Sequence, residues 1–402
     1  MNRPKILAAV TALLAIAVCL SVWLCQRKKP AGNSGISEGQ VVYVGTYGSG
    51  LYRYIFVPSD GSFTFLGKAD VANPSYIALG EENDRDGIYD VYAVSENGVD
   101  SGIYSFADDI MLSMTGSNSD IGRDPCFLLF DREGHTLMTA EYGSGSLSVF
   151  RVDEDGAVAE LLQRLEFKGS GPVKTRQESS HIHQLKFLPA EDGASCRYLL
   201  ATDLGADRIR VMKVSDHMDG PVLECRYHSP VLTCLPDADI LCGEGSGPRH
   251  MAVDAGRHRL YCLTELSGEL LVFSYSFDGD GNPVFELDSR LLADENRAGG
   301  SADIRIHPSG RFLYTSHRLK KDGISVFSVA DDGSVIKTGY CRTGKHPRNF
   351  AITPDGTAML VACRDDRTVE VYGIDPDSGA LTYSGTKLRF AEDMPSCVVI
   401  AE

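Results

Sequence analysis

Seven times along this chain a β-prone run reaches a polar residue four positions after a large apolar one, and that fixed offset constrains the fold more than any other feature. The polar positions are Tyr47, Glu96, Glu141, Asp203, Glu265, Arg318 and Arg364; the preceding ones are Tyr43, Tyr92, Leu137, Leu199, Tyr261, Tyr314 and Leu360. Successive polar positions lie 49, 45, 62, 62, 53 and 46 residues apart. Self-similarity at such a period means stacked repeats, since one unit cannot bury its apolar face alone. Ahead of most runs stands a Pro-x-x-apolar-x-apolar element, at Pro74, Pro125, Pro248, Pro347 and Pro395, with His183 and Ala302 where Pro is missing. After each run comes an alternating strand, such as residues 146–152 or 270–277, often closed by Asp-Gly or Ser-Gly.

A period near 45 residues with four short strands is the unit of a propeller. The sequence therefore predicts an all-β fold over residues 41–402: a seven-bladed β-propeller with four-stranded antiparallel blades. The propeller enters at Val41 with the second strand of a blade, and Pro395-Ser396-Cys397-Val398-Val399-Ile400 supplies the missing first strand. N- and C-terminal strands then share one blade, which leaves no open edge in the ring. Two unrelated β-sandwiches would match the strand content but not the constant offset.

Residues 1–29 are of another kind. Residues 6–25 carry no charge and are framed by Arg3 and Lys5 on one side and Arg27-Lys28-Lys29 on the other. That length spans a bilayer. With no small-x-small site near Trp23-Leu24-Cys25, the segment reads as an uncleaved membrane anchor rather than a cleaved signal peptide. Residues 30–40 read as a flexible linker. The expectation is a monomer, membrane-anchored or exported to the periplasm or cell envelope, touching the membrane through its N-terminal segment only. Basic residues at both ends leave a cytoplasmic-facing orientation open.

A net charge of −16 excludes nucleic acid as a partner, because displacing counterions from phosphates needs a basic stripe. Nine cysteines follow the anchor, at 126, 196, 225, 234, 242, 262, 341, 363 and 397. Cys126, Cys262, Cys363 and Cys397 fall on expected core strands as small apolar residues. Cys225, Cys234 and Cys242 lie in an irregular insertion with room for one disulfide. No spacing matches a zinc site.

In a four-stranded blade the innermost strand runs along the central channel and the second returns antiparallel to it. The start of the first and the end of the second meet at one rim, which places Glu96, Glu141, Asp203, Glu265, Arg318 and Arg364 around one mouth, beside Arg249, His250, Arg348 and Asn349. Charged residues make up 23% of the chain, so six charged positions of the seven exceed what composition supplies. Mixed carboxylates and arginines suit an anionic, polyhydroxylated small molecule. The run Arg176-Gln177-Glu178-Ser179-Ser180-His181-Ile182-His183 overhangs the same rim, with two histidines on one side of an extended segment. Hydrogen bonding to a rim carboxylate is the expected state of these histidines, rather than metal ligation, and no cofactor is implied. Gly143-Ser144-Gly145-Ser146-Leu147 lacks the strand-to-helix setting of a nucleophile elbow.

Together, Tyr43-Val44-Gly45-Thr46-Tyr47, Ala140-Glu141-Tyr142-Gly143-Ser144-Gly145-Ser146, the run 176–183, Asp203-Leu204-Gly205-Ala206-Asp207, Gly247-Pro248-Arg249-His250, Glu265-Leu266, Ser316-His317-Arg318 and Pro347-Arg348-Asn349-Phe350 resemble the seven-bladed lactonase family. That family includes propeller-type 6-phosphogluconolactonase and fungal carboxy-cis,cis-muconate cyclase. The resemblance covers residue 41 to the C-terminus. It implies hydrolysis of a sugar lactone at a rim site made of His181 or His183, Arg249, Glu265 and Arg318. Around these, Glu96, Glu141, Asp203, His250, His317, Arg348 and Arg364 are expected to contact substrate. Two departures add charge to the family pattern: Glu141 and His317 each stand where Asn is usual. Glu265 or a histidine would take the proton of the attacking water, with Arg249 and Arg318 stabilising the oxyanion. A non-catalytic binding propeller and a muconate-type cycloisomerase are the alternatives.

Overall fold

The computed structural model describes residues 39–83, 88–109, 111–189, 197–215 and 231–401. The expected anchor, most of the linker, Cys196 and Cys225 lie outside them. Among the described residues no helix is long and apolar enough to cross a membrane. They form seven antiparallel sheets. Blade 1 combines β29 (Met394–Ile400) with β1 (Gln40–Tyr47), β2 (Gly50–Val57) and β3 (Ser62–Asp70). Blade 2 holds β4 (Pro74–Asn83) through β7 (Leu112–Asn118), and blade 3 holds β8 (Pro125–Asp131), β9 (Thr136–Glu141), β10 (Ser146–Val152) and β11 (Val158–Glu166). Blade 4 contains β12 (Ile182–Leu188), β13 (Arg197–Asp203) and β14 (Arg208–Val214), with its outer edge split between β15 (Leu232–Cys234) and β16 (Ile240–Leu241). Blade 5 runs from β17 (Pro248–Asp254) and β18 (Arg259–Thr264) to β20 (Pro283–Leu292). Blade 6 runs from β21 (Ser301–Ile306) and β22 (Phe312–His317) to β24 (Val335–Arg342). Blade 7 comprises β25 (Pro347–Ile352), β26 (Ala358–Cys363), β27 (Thr368–Ile374) and β28 (Leu381–Arg389).

The expected closure is present: β29 pairs antiparallel with β1 from Val42 against Ile400 to Tyr47 against Met394. The seven innermost strands contact one another in sequence around the ring. Each blade is sandwiched, so its inner strands bury both faces, while outer strands such as β3, β20, β24 and β28 are largely exposed. In β27, Val369 and Val371 join an apolar cluster shared with blade 1, whereas Tyr372 and Ile374 join one shared with blade 6. Seven such clusters fill the seven gaps between blades. Polar tips set the register across them. Tyr198, Tyr261 and Tyr314 donate to the carbonyls of Gly281, Gly333 and Gly379, each in the outer hairpin turn of the next blade (2.7, 2.7 and 2.9 Å). These glycines take φ of 79°, 80° and 70°, the left-handed region that a side chain resists, which is why the Asp-Gly and Ser-Gly signatures recur. Cys234 and Cys242 are free thiols, so no disulfide joins that pair.

Candidate active site

One backbone irregularity, repeated in every blade, builds the channel mouth. Near the start of each innermost strand the ladder to the second strand slips, leaving Ser75, Cys126, His183, Arg249, Arg348 and Ser396 unpaired, and both Ala302 and Asp303 in blade 6. A bulge bends the strand and re-aims a side chain. Three of the sequence-expected residues, His183, Arg249 and Arg348, are bulge residues.

Register brings Arg249 and Glu265 to the same end, because Pro248 pairs with Thr264. Glu265 then becomes the hub. Its Oε2 accepts from Arg249 Nε at 2.7 Å and lies 3.2 Å from Arg318 Nη2, and its Oε1 accepts from Arg176 Nη2 at 2.6 Å. Burial alone would raise the Glu265 carboxyl, but Arg318, Arg249 and Arg176 outweigh it and hold the pKa near 2. Two of the arginines are oriented by backbone. Arg249 Nη1 donates to the Ala302 carbonyl (2.5 Å), and Arg318 donates to the carbonyls of Gly300 (2.8 Å) and Ser301 (3.3 Å). Burial with the neighbouring arginines pushes Arg318 down to about 9, which leaves it charged at neutral pH. Its Nη1 also donates to His346 Nε2 (3.2 Å), while His346 Nδ1 faces Asp365 at 3.4 Å. Burial, then Arg318 and Arg364, lower His346 to about 3 and keep it neutral.

Arg348 stands apart from the Glu265 hub. Its guanidinium lies 5.1 Å from the Tyr47 ring centre and 3.9 Å from Glu96, and Glu96 accepts the Tyr47 hydroxyl at 2.6 Å. Arg364 pairs with its neighbour Asp365 (2.7 Å) and is partly exposed.

His181 stacks on Tyr142 with ring centres 4.3 Å apart and planes 9° from parallel. Its Nδ1–H donates to the Tyr142 carbonyl (2.7 Å), and its Nε2 lies 3.2 Å from Glu178. Both nitrogens therefore face oxygen acceptors. His183 sits edge-on to the Tyr142 ring, and among its two nitrogens only Nδ1 is both enclosed and without a partner. Burial, with Arg249, His250, Arg348 and Arg318 nearby, pushes His183 well down, so its imidazole is neutral. Among the described residues no three His, Cys, Asp or Glu gather as metal ligands.

Three expected contact residues are engaged within their blades instead. Glu141 accepts from the hydroxyls of Thr139 and Ser146 and is fully buried. Asp203 caps the turn Leu204–Ala206 and accepts from the Ser180 hydroxyl, the His181 amide and Arg210. It braces the histidine segment from below. His317 is held between Ser301 and Thr315, each at 2.9 Å. Strand alternation points it away from Arg318. The two family departures thus turn to hydroxyls of their own blades. Conversely, Arg176, Tyr142 as a stacking platform, Asp303 and His346 were not among the expected contact residues. Arg176 lies in the flagged run, but no spacing signal links it to a carboxylate 89 positions away. Asp303 sits in the one blade with two bulge residues, where the marker Pro is missing.

A protein-family profile described as "Lactonase, 7-bladed beta-propeller" matches residues 41–400. This chain belongs to that family. Its class is therefore that of a lactone-hydrolysing enzyme. A 6-phosphogluconolactonase from Formosa agariphila is 31% identical over 357 residues, covering 85% of this chain and 94% of the relative. Among solved structures, a candidate 6-phosphogluconolactonase from Bacteroides fragilis superposes with a TM-score of 0.78 at 33% identity, covering 92% of this chain and all (100%) of that one. The periplasmic gluconolactonase of Pseudomonas aeruginosa gives 0.74 at 25% identity, covering 90% and 99%.

Proposed function

We propose that the mouth hydrolyses an aldonolactone with side chains alone supplying acid–base and electrostatic catalysis. The observation that carries this reading is one carboxylate, Glu265, shared by three guanidinium groups, which leaves excess positive charge where an oxyanion and then a carboxylate must form. At a pKa near 2, Glu265 is too weak a base to deprotonate water at neutral pH. Its role is to hold Arg249 and Arg318 in place. The proton of the attacking water goes instead to neutral His183. Water attacks the lactone carbonyl, the two arginines hold the developing O⁻, and the ring C–O bond breaks as the alkoxide takes the proton back. Tyr142 and Arg348 would flank the polyol. Residues 6–25, read as an anchor or export segment, together with the periplasmic neighbour, favour an unphosphorylated lactone over a phosphorylated one, which does not cross membranes unaided.

Acid release by the chain on a panel of aldonolactones, with and without a 6-phosphate, tests this. Arg249→Ala is expected to lower kcat/KM by at least about 100-fold with the fold intact. Wild-type rates in that variant would refute the assignment. No turnover on any lactone, with ligand-induced thermal stabilisation retained, would mark a binding propeller instead.

A further inference from the structure

Blades 7, 1 and 2 bring three polar side chains to the mouth across from the arginine hub. Arg348 is the bulge residue of β25 in blade 7, Tyr47 ends β1 in blade 1, and Glu96 follows the second strand of blade 2. The hub and His183 come from blades 4 to 6 and the run that leads into them, so in a ring of seven the two groups face each other. Tyr47 braces both partners of the second group. Its hydroxyl donates to Glu96 Oε2 at 2.6 Å, and its ring centre lies 5.1 Å from the Arg348 guanidinium. Glu96 stands 3.9 Å from Arg348 Nη2, an ion pair but too long for a hydrogen bond. This leaves hydrogen-bonding capacity unspent. Arg176, Arg249, Arg318 and Arg364 each donate to a carbonyl or a carboxylate, whereas Arg348 donates to no acceptor among the described residues. Among the same residues Glu96 Oε1 accepts from no donor, its one hydrogen bond being the Tyr47 hydroxyl on Oε2.

A guanidinium offers only donors and an ionised carboxylate only acceptors. Side by side and both open, they match a group that accepts and donates at once, and a hydroxyl does so. Neighbouring hydroxyls of a polyol do it twice. A phosphate would satisfy the Arg348 donors but would set a second negative charge beside Glu96, and like charges held together are strongly disfavoured. Both side chains are largely enclosed, at 16% and 20% exposure, so neither swings freely away from the other.

We propose that Arg348 and Glu96 are specificity-determining residues that read free hydroxyls at the end of the substrate remote from the ester, and that the Glu96 carboxylate excludes a lactone phosphorylated there. The inference rests on the lactonase reading and narrows its substrate class to aldonolactones with an unmodified polyol end. With the ester carbonyl at Arg249 and Arg318, the remote hydroxyls fall to blades 7, 1 and 2. One of them donates to Glu96 Oε1 and accepts from an Arg348 N–H. No bond is made or broken at this end.

The test measures kcat and KM of the full chain, of Glu96→Gln and of Arg348→Gln on D-glucono-1,5-lactone and on the same lactone carrying a 6-phosphate. Wild type is expected to favour the neutral lactone in kcat/KM by at least about tenfold. Glu96→Gln keeps the shape and one acceptor oxygen but drops the charge. It is expected to raise kcat/KM for the phosphorylated lactone at least about tenfold while KM for the neutral one rises about three- to tenfold, opposite movements that a merely structural role would not produce. Arg348→Gln is expected to raise KM for the neutral lactone at least about tenfold, with the loss falling on KM rather than kcat, because these bonds serve the ground and transition states alike. An equal fall on both lactones in Glu96→Gln, an unchanged preference, or a wild type that prefers the phosphate overturns the hydroxyl subsite and leaves the lactonase reading standing. An inactive wild type on every lactone overturns that reading and the subsite with it. If Arg348→Gln fails to fold, Glu96→Gln and the wild-type preference decide.

Discussion

Glu141 and Glu265 occupy the same position in their repeats, each four residues after a core residue at the end of a second strand, yet they have opposite fates. In blade 3 the carboxylate turns to two hydroxyls of its own blade and is sealed. In blade 5 its equivalent meets guanidinium groups from three other places in the chain. The repeat thus decides where a side chain starts, and its neighbours decide whether it becomes scaffold or machinery. A carboxylate satisfied locally needs only its own sheet, whereas one satisfied at long range pulls distant segments into one site.

The sharpest way to break this contrast is to neutralise each carboxylate in turn. Glu265→Gln should cut kcat/KM by at least about 100-fold, since three guanidinium groups lose their common anchor, while Glu141→Gln should stay within about threefold; steady-state kinetics on one lactone compares them. Acid unfolding separates them next. Glu265 has a folded pKa of about 2, below its ordinary 4.5. Its contribution to stability is therefore complete above about pH 4.5 and lost as pH falls toward 2. Thermal melts of wild type and Glu265→Gln between pH 5 and 2 should converge at the acid end. Glu141→Gln should cost about 1–2 kcal/mol by denaturant titration, because the amide keeps one acceptor oxygen where the two buried hydroxyls use one each. The smallest expected effect belongs to pure scaffold: Tyr261→Phe removes the bond to Gly333 and should cost about 1 kcal/mol with no change in kcat.

The ring was legible in the sequence because its cause is periodic. Apolar residues such as Tyr261 and Tyr314 must recur wherever two blades meet, and glycines such as Gly333 wherever an outer hairpin needs a positive φ. Arg249, Glu265 and Arg318 were legible for the same reason, since each keeps a fixed place in its repeat. His317 was misread by adjacency: one step along a strand reverses the face. Glu141 and Asp203 keep the right phase, but serine and threonine hydroxyls, backbone amides and Arg210 capture them first. Arg176, although in the flagged run, and Asp303 escaped because no spacing ties either to its distant partners. The first reaches the hub from a loop, and the second owes its position to a widened bulge in β21.

The pairing of β29 with β1 carries a consequence for how such a molecule is made. Val42 waits for Ile400, so the ring must close through a pairing between the two ends of the described propeller, a contact of very long range. The closing strand is also an inner wall of the channel, with Ser396 at its bulge. A nascent or truncated chain lacking that strand would leave the inner edge of β1 unpaired and the ring open between β25 and β4.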